Sequence, residues 1–160
     1  MYKIKTRSDG TVDRYKARLV AKGFTQEYGI DYEETFASVA RLSSVRTLVA
    51  IFASRHWPLF QMDVKNAFLN GELTEEVYMQ LPHGFSHPPG FSHKVCRLRQ
   101  TLYGLKQAPR AWFTKFSSTI SQYGFSTSSY DSALFFRRSN HGITLLLLYV
   151  DDMIITGDDV

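Results

Sequence analysis

The stretch LLLLYVDDMIITG, residues 145–157, runs from an apolar segment through two adjacent carboxylates into a second apolar segment that closes on a glycine. Leucines 145–148 are unbroken, and Val150 and Ile154 are β-branched. The pattern predicts two strands, buried on both faces, joined by an acidic tight turn. Side chains alternate faces along a strand, so Asp151 and Asp152 could not both serve one site from a regular strand. A turn can aim both at a common point. An acidic turn on a solvated surface hairpin would read the same way by itself, and a partner carboxylate elsewhere distinguishes the two. Asp63 offers one, closing the strand-like run Leu59-Phe60-Gln61-Met62. Three carboxylates gathered together repel by roughly 4 kcal/mol per pair at 4 Å and intermediate dielectric, so the cluster makes sense mainly with divalent cations between them. Ligands that are all oxygen favour Mg²⁺ or Mn²⁺.

Three more blocks accompany YVDD at 149–152: RYKARLVAKGFTQ at 14–26, QMDVKNAFLNGEL at 61–73 and LYGLKQAPRAW at 102–112. Together and in this order they closely resemble the reverse transcriptase of copia-type LTR retrotransposons, over nearly the whole chain. The resemblance implies an α+β fold: a right-hand polymerase palm, an antiparallel sheet with helices on one face, plus fingers hairpins, truncated before the thumb. Fingers would occupy about 1–42 and 71–107, and palm about 43–70 and 108–160. The implied activity is template-directed DNA synthesis on RNA by two-metal nucleotidyl transfer. The alternative is a truncated, catalytically inactive retroelement remnant with at most weak nucleic-acid binding.

By the same resemblance Asp63, Asp151 and Asp152 are catalytic, and Asp63, Asp151 and Val64 hold two Mg²⁺ (or Mn²⁺) ions. Arg18, Lys16, Lys65, Asn66, Ala67, Phe68, Tyr103 and Gly104 would meet the incoming nucleotide, Phe68 as an aromatic gate against a ribose 2′-hydroxyl. Lys106, Gln107, Pro109, Tyr149 and Val150 would meet primer and template. Implied partners are an RNA or DNA template with its primer, deoxynucleoside triphosphates, and the thumb and RNase H regions of a parent polyprotein, which this chain lacks, as it lacks integrase. Watson–Crick pairing would select the nucleotide, leaving the protein to contact backbone and shape. The resemblance places such a protein in a cytoplasmic virus-like particle or the nucleus.

The chain has 160 residues, 44% apolar and 21% charged, enough for one globular unit with a core and unlike a disordered composition. A formal charge of +4 is compatible with a polyanionic partner but common in proteins that bind none. The single cysteine, Cys96, excludes an intramolecular disulfide framework and fits an intracellular, reducing setting. No apolar run approaches the ~20 residues of a membrane helix, and the first residues do not read as a secretory signal. The chain opens inside a strand-like pattern and stops just after the acidic hairpin, which predicts a piece of something longer.

Taken in order, alternation over 2–5 and 12–22 about the turn Ser8-Asp9-Gly10 predicts a hairpin with one basic face bearing Lys16, Arg18 and Lys22. Residues 24–36 read as irregular. Ser43 as N-cap with Val45, Leu48, Val49 and Phe52 predicts an amphipathic helix that Pro58 limits. Asn70-Gly71 predicts a tight turn, and residues 77–80 a short strand. Gly84-Phe85-Ser86-His87 recurs as Gly90-Phe91-Ser92-His93, which reads as a loop, and His83, His87, His93 and Cys96 match no common zinc spacing. Pro109 opens a helix whose stripe is Trp112, Phe116 and Ile120, ended by Gly124. Residues 126–129 read as a polar connector and 134–136 as a strand.

Overall fold

The computed structural model describes residues 2–82, 84–85, 90 and 95–160. His83, His87, His93 and most of the 84–93 repeat lie outside the described residues. The centre is a five-stranded antiparallel sheet in the order β3-β9-β8-β7-β6, formed by β3 (Leu59–Asp63), β6 (Ser126–Thr127), β7 (Leu134–Arg138), β8 (Ile143–Tyr149) and β9 (Asp152–Gly157). Two small sheets accompany it, β1 (Tyr2–Thr6) with β2 (Val12–Ala17), and β4 (Tyr78–Met79) with β5 (Cys96–Arg97). The helices are α1 (Leu42–Arg55) and α2 (Ala108–Gln122).

The leucine run of β8 is unbroken because two layers claim it. Leu146 and Leu148 join Trp112 and Phe116 of α2, with Phe135 and Met153, in one cluster. Leu145 and Leu147 join Val45 and Leu48 of α1, with Ala133 and Ile154, in another. Alternate residues of a strand point to opposite faces, so α1 and α2 sit on opposite sides of the sheet. The expectation of helices on one face is corrected here: leucines 145–148 of β8 are apolar without a break because both faces of that run are covered. Each leucine so buried contributes on the order of 1.5–3 kcal/mol.

Several boundaries differ from the sequence pattern for local reasons. β2 ends at Ala17, not Lys22, because Ala17 already pairs with Tyr2 at the start of β1. The chain then turns to residue 103, where Val20 bridges Tyr103 and the Ala21 amide donates to the Tyr103 carbonyl at 2.7 Å. Helix α1 is not capped by Ser43. The Asp131 carboxylate, far along the chain, accepts from the Arg41 amide at 3.0 Å and from the Ser44 hydroxyl at 2.5 Å, putting negative charge at the positive end of the helix. Residues expected as a polar connector contain β6, which pairs with Phe135 and Phe136 of β7.

Gly71 is a glycine for a different reason than a turn requires. Its φ is −68°, and a Cβ there would lie 2.8 Å from the Thr101 hydroxyl and 2.9 Å from the Trp112 amide nitrogen. Close approach of the segment after β3 to the front of α2 is what excludes a side chain.

Candidate active site

The acidic turn is a hairpin with two residues, Val150 and Asp151, between paired strands. Val150 has φ of 60°, while Asp151 is not among the residues with positive φ, which is the sign pattern of a type II′ turn. That turn normally places glycine where Val150 stands. Asp152 opens β9 and is the direct partner of Tyr149 on one side and of Asp63 on the other. Directly opposed residues share a face, so Asp63, Asp152 and Tyr149 form one row across three strands. Asp151 is tied to the same corner through its main chain, since its carbonyl accepts from the Val64 amide at 2.8 Å.

The resemblance names Asp151 as the ligand beside Asp63, and the register places Asp152 directly opposite Asp63 in the strand ladder. Among the described residues none of the three carboxylates has an ion-pair or hydrogen-bond partner, so no direct partner balances their charge. Among the described residues no group of three or more His, Cys, Asp and Glu side chains is placed to hold a metal ion. The donors present, carboxylates with the Val64 main chain alongside, are hard oxygens and fit a Mg²⁺ or Mn²⁺ that keeps several waters of its own.

Residues 64–70 turn tightly after Asp63. Asn66 is left-handed at φ 57° and Ala67–Asn70 is a single 3₁₀ turn with Ala67 buried. Lys65 and Asn66 are exposed. Phe68 meets Tyr103 edge to face, ring centres 5.3 Å apart, and the Arg18 guanidinium lies 5.0 Å over the Tyr103 ring. Three residues from three sequence blocks thus converge. The Thr101 hydroxyl donates to the Phe68 carbonyl and holds the main chain at that residue.

On the small β1–β2 sheet, Lys3 stands opposite Lys16 and Lys5 opposite Arg14. Like charges directly opposed destabilise a hairpin unless an anion lies over them. Arg18 is the main cause that pulls the Lys16 ammonium below its ordinary pKa, followed by partial desolvation, Lys5 and Arg14, while Asp63 acts in the opposite sense. The basic face therefore lies within electrostatic reach of the carboxylate row.

The 102–112 block divides. Lys106 and Gln107 are engaged with a loop that sequence reading left without a role. The Lys106 ammonium donates to the Tyr32 hydroxyl at 3.1 Å and to the Gln26 carbonyl at 3.3 Å. Gln107, 1% exposed, accepts from the Gln26 side chain at 3.0 Å and donates to the Asp31 carbonyl at 3.0 Å. The structure turns Gln107 inward as a brace rather than outward to a template. Pro109 lies in the first turn of α2 and, with Phe68, Trp112 and Val150, lines a small apolar pocket. Tyr149 is exposed beside Asp152.

Sequence reading missed two features. The Trp112 indole donates to the Val150 carbonyl at 2.7 Å, yet Trp112 reads in sequence as one member of an apolar stripe. The brace of Gln26, Asp31 and Tyr32 carries no periodicity or motif that could announce it.

Residues 1–160 match the family described as reverse transcriptase (RNA-dependent DNA polymerase). The chain is 49% identical, over 97% of its length, to a retrovirus-related Pol polyprotein from transposon RE2 of Arabidopsis thaliana. It is 46% identical, over 99% of its length, to one from transposon TNT 1-94 of Nicotiana tabacum. It spans only 11% and 12% of these two relatives. No solved structure matches. The described helices include none long and apolar enough to cross a membrane. With four sequence blocks folded around one acidic turn and a family match from end to end, the chain belongs to the reverse transcriptase family, in the form carried by copia-type retrotransposon Pol polyproteins.

Proposed function

We propose that this chain is the nucleotidyl-transfer centre of an RNA-directed DNA polymerase, with the five-stranded sheet and its two helices as palm and the two small sheets as fingers. The observation that carries the proposal is the pairing of Asp63 with Asp152 across β3 and β9, next to a turn whose other carboxylate belongs to Asp151. Two distant segments of the sequence bring acidic residues to one corner of the sheet, and among the described residues no ion pair neutralises them.

Asp63, Asp151, Asp152 and the Val64 main chain would hold divalent cations. When bound, such ions lower the pKa of a primer 3′-hydroxyl and balance the charge of a leaving pyrophosphate. Arg18 and Lys16 would supply positive charge for a triphosphate. Lys65 and Asn66, exposed in the turn after Asp63, would present main-chain N–H groups towards it, while the Ala67 amide donates to the Val64 carbonyl. Phe68, propped by Tyr103 and Thr101, limits space at the sugar. Tyr149 would lie under the primer end. Template strand, primer and the rest of the Pol polyprotein are the partners this reading requires.

Metal titration tests it. Mg²⁺ or Mn²⁺ should raise the melting temperature of the native chain, by RT ln(1 + [L]/Kd), and should not do so after Asp63→Asn with Asp151→Asn. An equal response in both forms would remove the site and leave an inert retroelement fragment as the better account.

A further inference from the structure

We propose that Trp112 is a positioning residue for the acidic turn: its indole N–H selects the peptide orientation in which Asp151 and Asp152 can share a cation with Asp63. The proposal rests on the reading of that corner as a divalent-metal site.

The turn is locally disfavoured. Val150 is at φ 60°, and a β-branched residue rarely adopts that region. Neither glycine, asparagine nor aspartate stands at the position to ease it. Contacts from outside the turn must therefore hold it. Two do so, on consecutive carbonyls: the Trp112 indole on Val150 at 2.7 Å, and the Val64 amide on Asp151 at 2.8 Å. The first acts on the peptide between the two central residues, the unit whose rotation distinguishes a II′ turn from a I′ turn. Rotating it would withdraw the Val150 carbonyl from the indole and change how the next two residues leave the turn.

The donor is itself fixed. Trp112 is 6% exposed, its ring is tilted 56° against Phe116 at 5.5 Å, and it sits in the cluster with Leu148 and Met153, which flank the turn on both strands. A buried indole N–H that lost this acceptor would be unsatisfied, so the turn and the helix hold each other in place. Packing alone would be served by a ring without a donor. The hydrogen bond is what reaches the turn.

The experiment titrates Mn²⁺ into the 160-residue chain, followed by electron paramagnetic resonance of free Mn²⁺, well below each variant's melting temperature. Trp112→Phe removes the N–H; replacing Trp112 by 3-benzothienylalanine removes it while keeping the two-ring shape, and answers the question if the phenylalanine variant fails to fold. Either should weaken Mn²⁺ binding about tenfold. Val150→Gly presets the turn, so adding the Trp112 change to it should weaken binding by less than about threefold. Native-like Mn²⁺ affinity in the benzothienyl variant would overturn the assignment. So would an equal weakening by the Trp112 change in the native turn and in the Val150→Gly background, because the effect would then come from packing. If the native chain binds Mn²⁺ no better than Asp63→Asn with Asp152→Asn, the metal site itself fails, and the role of Trp112 falls with it.

Discussion

Gly23 and Gly104 meet backbone to backbone, so closely that a Cβ built on Gly23 would collide with the Gly104 carbonyl, and one built on Gly104 with the Ala21 carbonyl. Gly104 is also left-handed at φ +92°. This is where the segment after β2 joins the segment before α2, and it holds Arg18 over the ring of Tyr103. Gly104→Ala should cost at least about 1–3 kcal/mol from overpacking alone. Urea unfolding followed by circular dichroism measures it, and an unchanged midpoint would show that the two segments separate freely.

Asp131 contributes to the acid limb of stability. It is 5% exposed, and burial alone would raise its pKa. The Ser44 hydroxyl and the amides of Arg41 and Ala133 outweigh that and hold it below the ordinary carboxylate value. With the folded pKa depressed, the unfolded chain binds more protons in the interval between the two values, so stability rises with pH there. The contribution is complete above the unfolded value, about 3.9, and is lost as pH falls through the folded one. Asp131→Asn should lower stability at pH 7 by about 1–3 kcal/mol and flatten its dependence below pH 4. Melting curves from pH 3 to 7 check both.

The brace on Gln107 makes a structural prediction where the resemblance suggested template contact. Gln107→Leu strands the Gln26 side-chain amide and the Asp31 carbonyl without partners, at about 1–3 kcal/mol for each group that stays buried. Amide exchange across residues 26–32 should accelerate, and single-strand affinity measured with a folded sample should change little. A large drop in affinity without faster exchange would return Gln107 to the template.

The opposed cations of β1 and β2 predict opposite effects on stability and on binding. Lys5→Met with Arg14→Met removes a repulsive cross-strand pair, so the melting temperature should hold or rise. The slope of log K against log salt for a single-stranded oligonucleotide should flatten by about 0.7 for each phosphate that is no longer neutralised. An unaltered slope would mean that this face carries no backbone.

Phe68 reports on sugar selection. Phe68→Val shortens a ring that Tyr103 holds from the side at 5.3 Å. In an active polyprotein-length enzyme it should lower the preference for deoxynucleotides over ribonucleotides by at least about tenfold. The ratio of kcat/KM values gives the answer, and constancy would retire the gate.

How much of this could be read in advance follows from the range over which each interaction acts. Alternation, apolar stripes and turn residues are local, so the acidic hairpin, the strand ending at Asp63, and helices α1 and α2 are all visible in the chain as written. The strand carrying Asp63 could be proposed beside the acidic turn because each was a strand end bearing a carboxylate. The register, which pairs Asp63 with Asp152, was not visible: the resemblance named Asp151 as a metal ligand beside Asp63 and gave no strand pairing. One residue of slip exchanges the two faces of a strand, and only packing on both sides of β8 fixes which residue lies opposite which.

Residue type and spacing along the backbone were enough to set the elements, the acidic chemistry and the kinship of the chain. It took the folded arrangement to put the helices on opposite faces, to turn Gln107 inward, to cap a helix with Asp131 from some ninety residues away, and to bring an indole to the turn at Val150. Each of these joins groups that are distant in sequence through one hydrogen bond or one shared layer. Whether such a contact forms depends on where the whole chain folds, which no local pattern encodes.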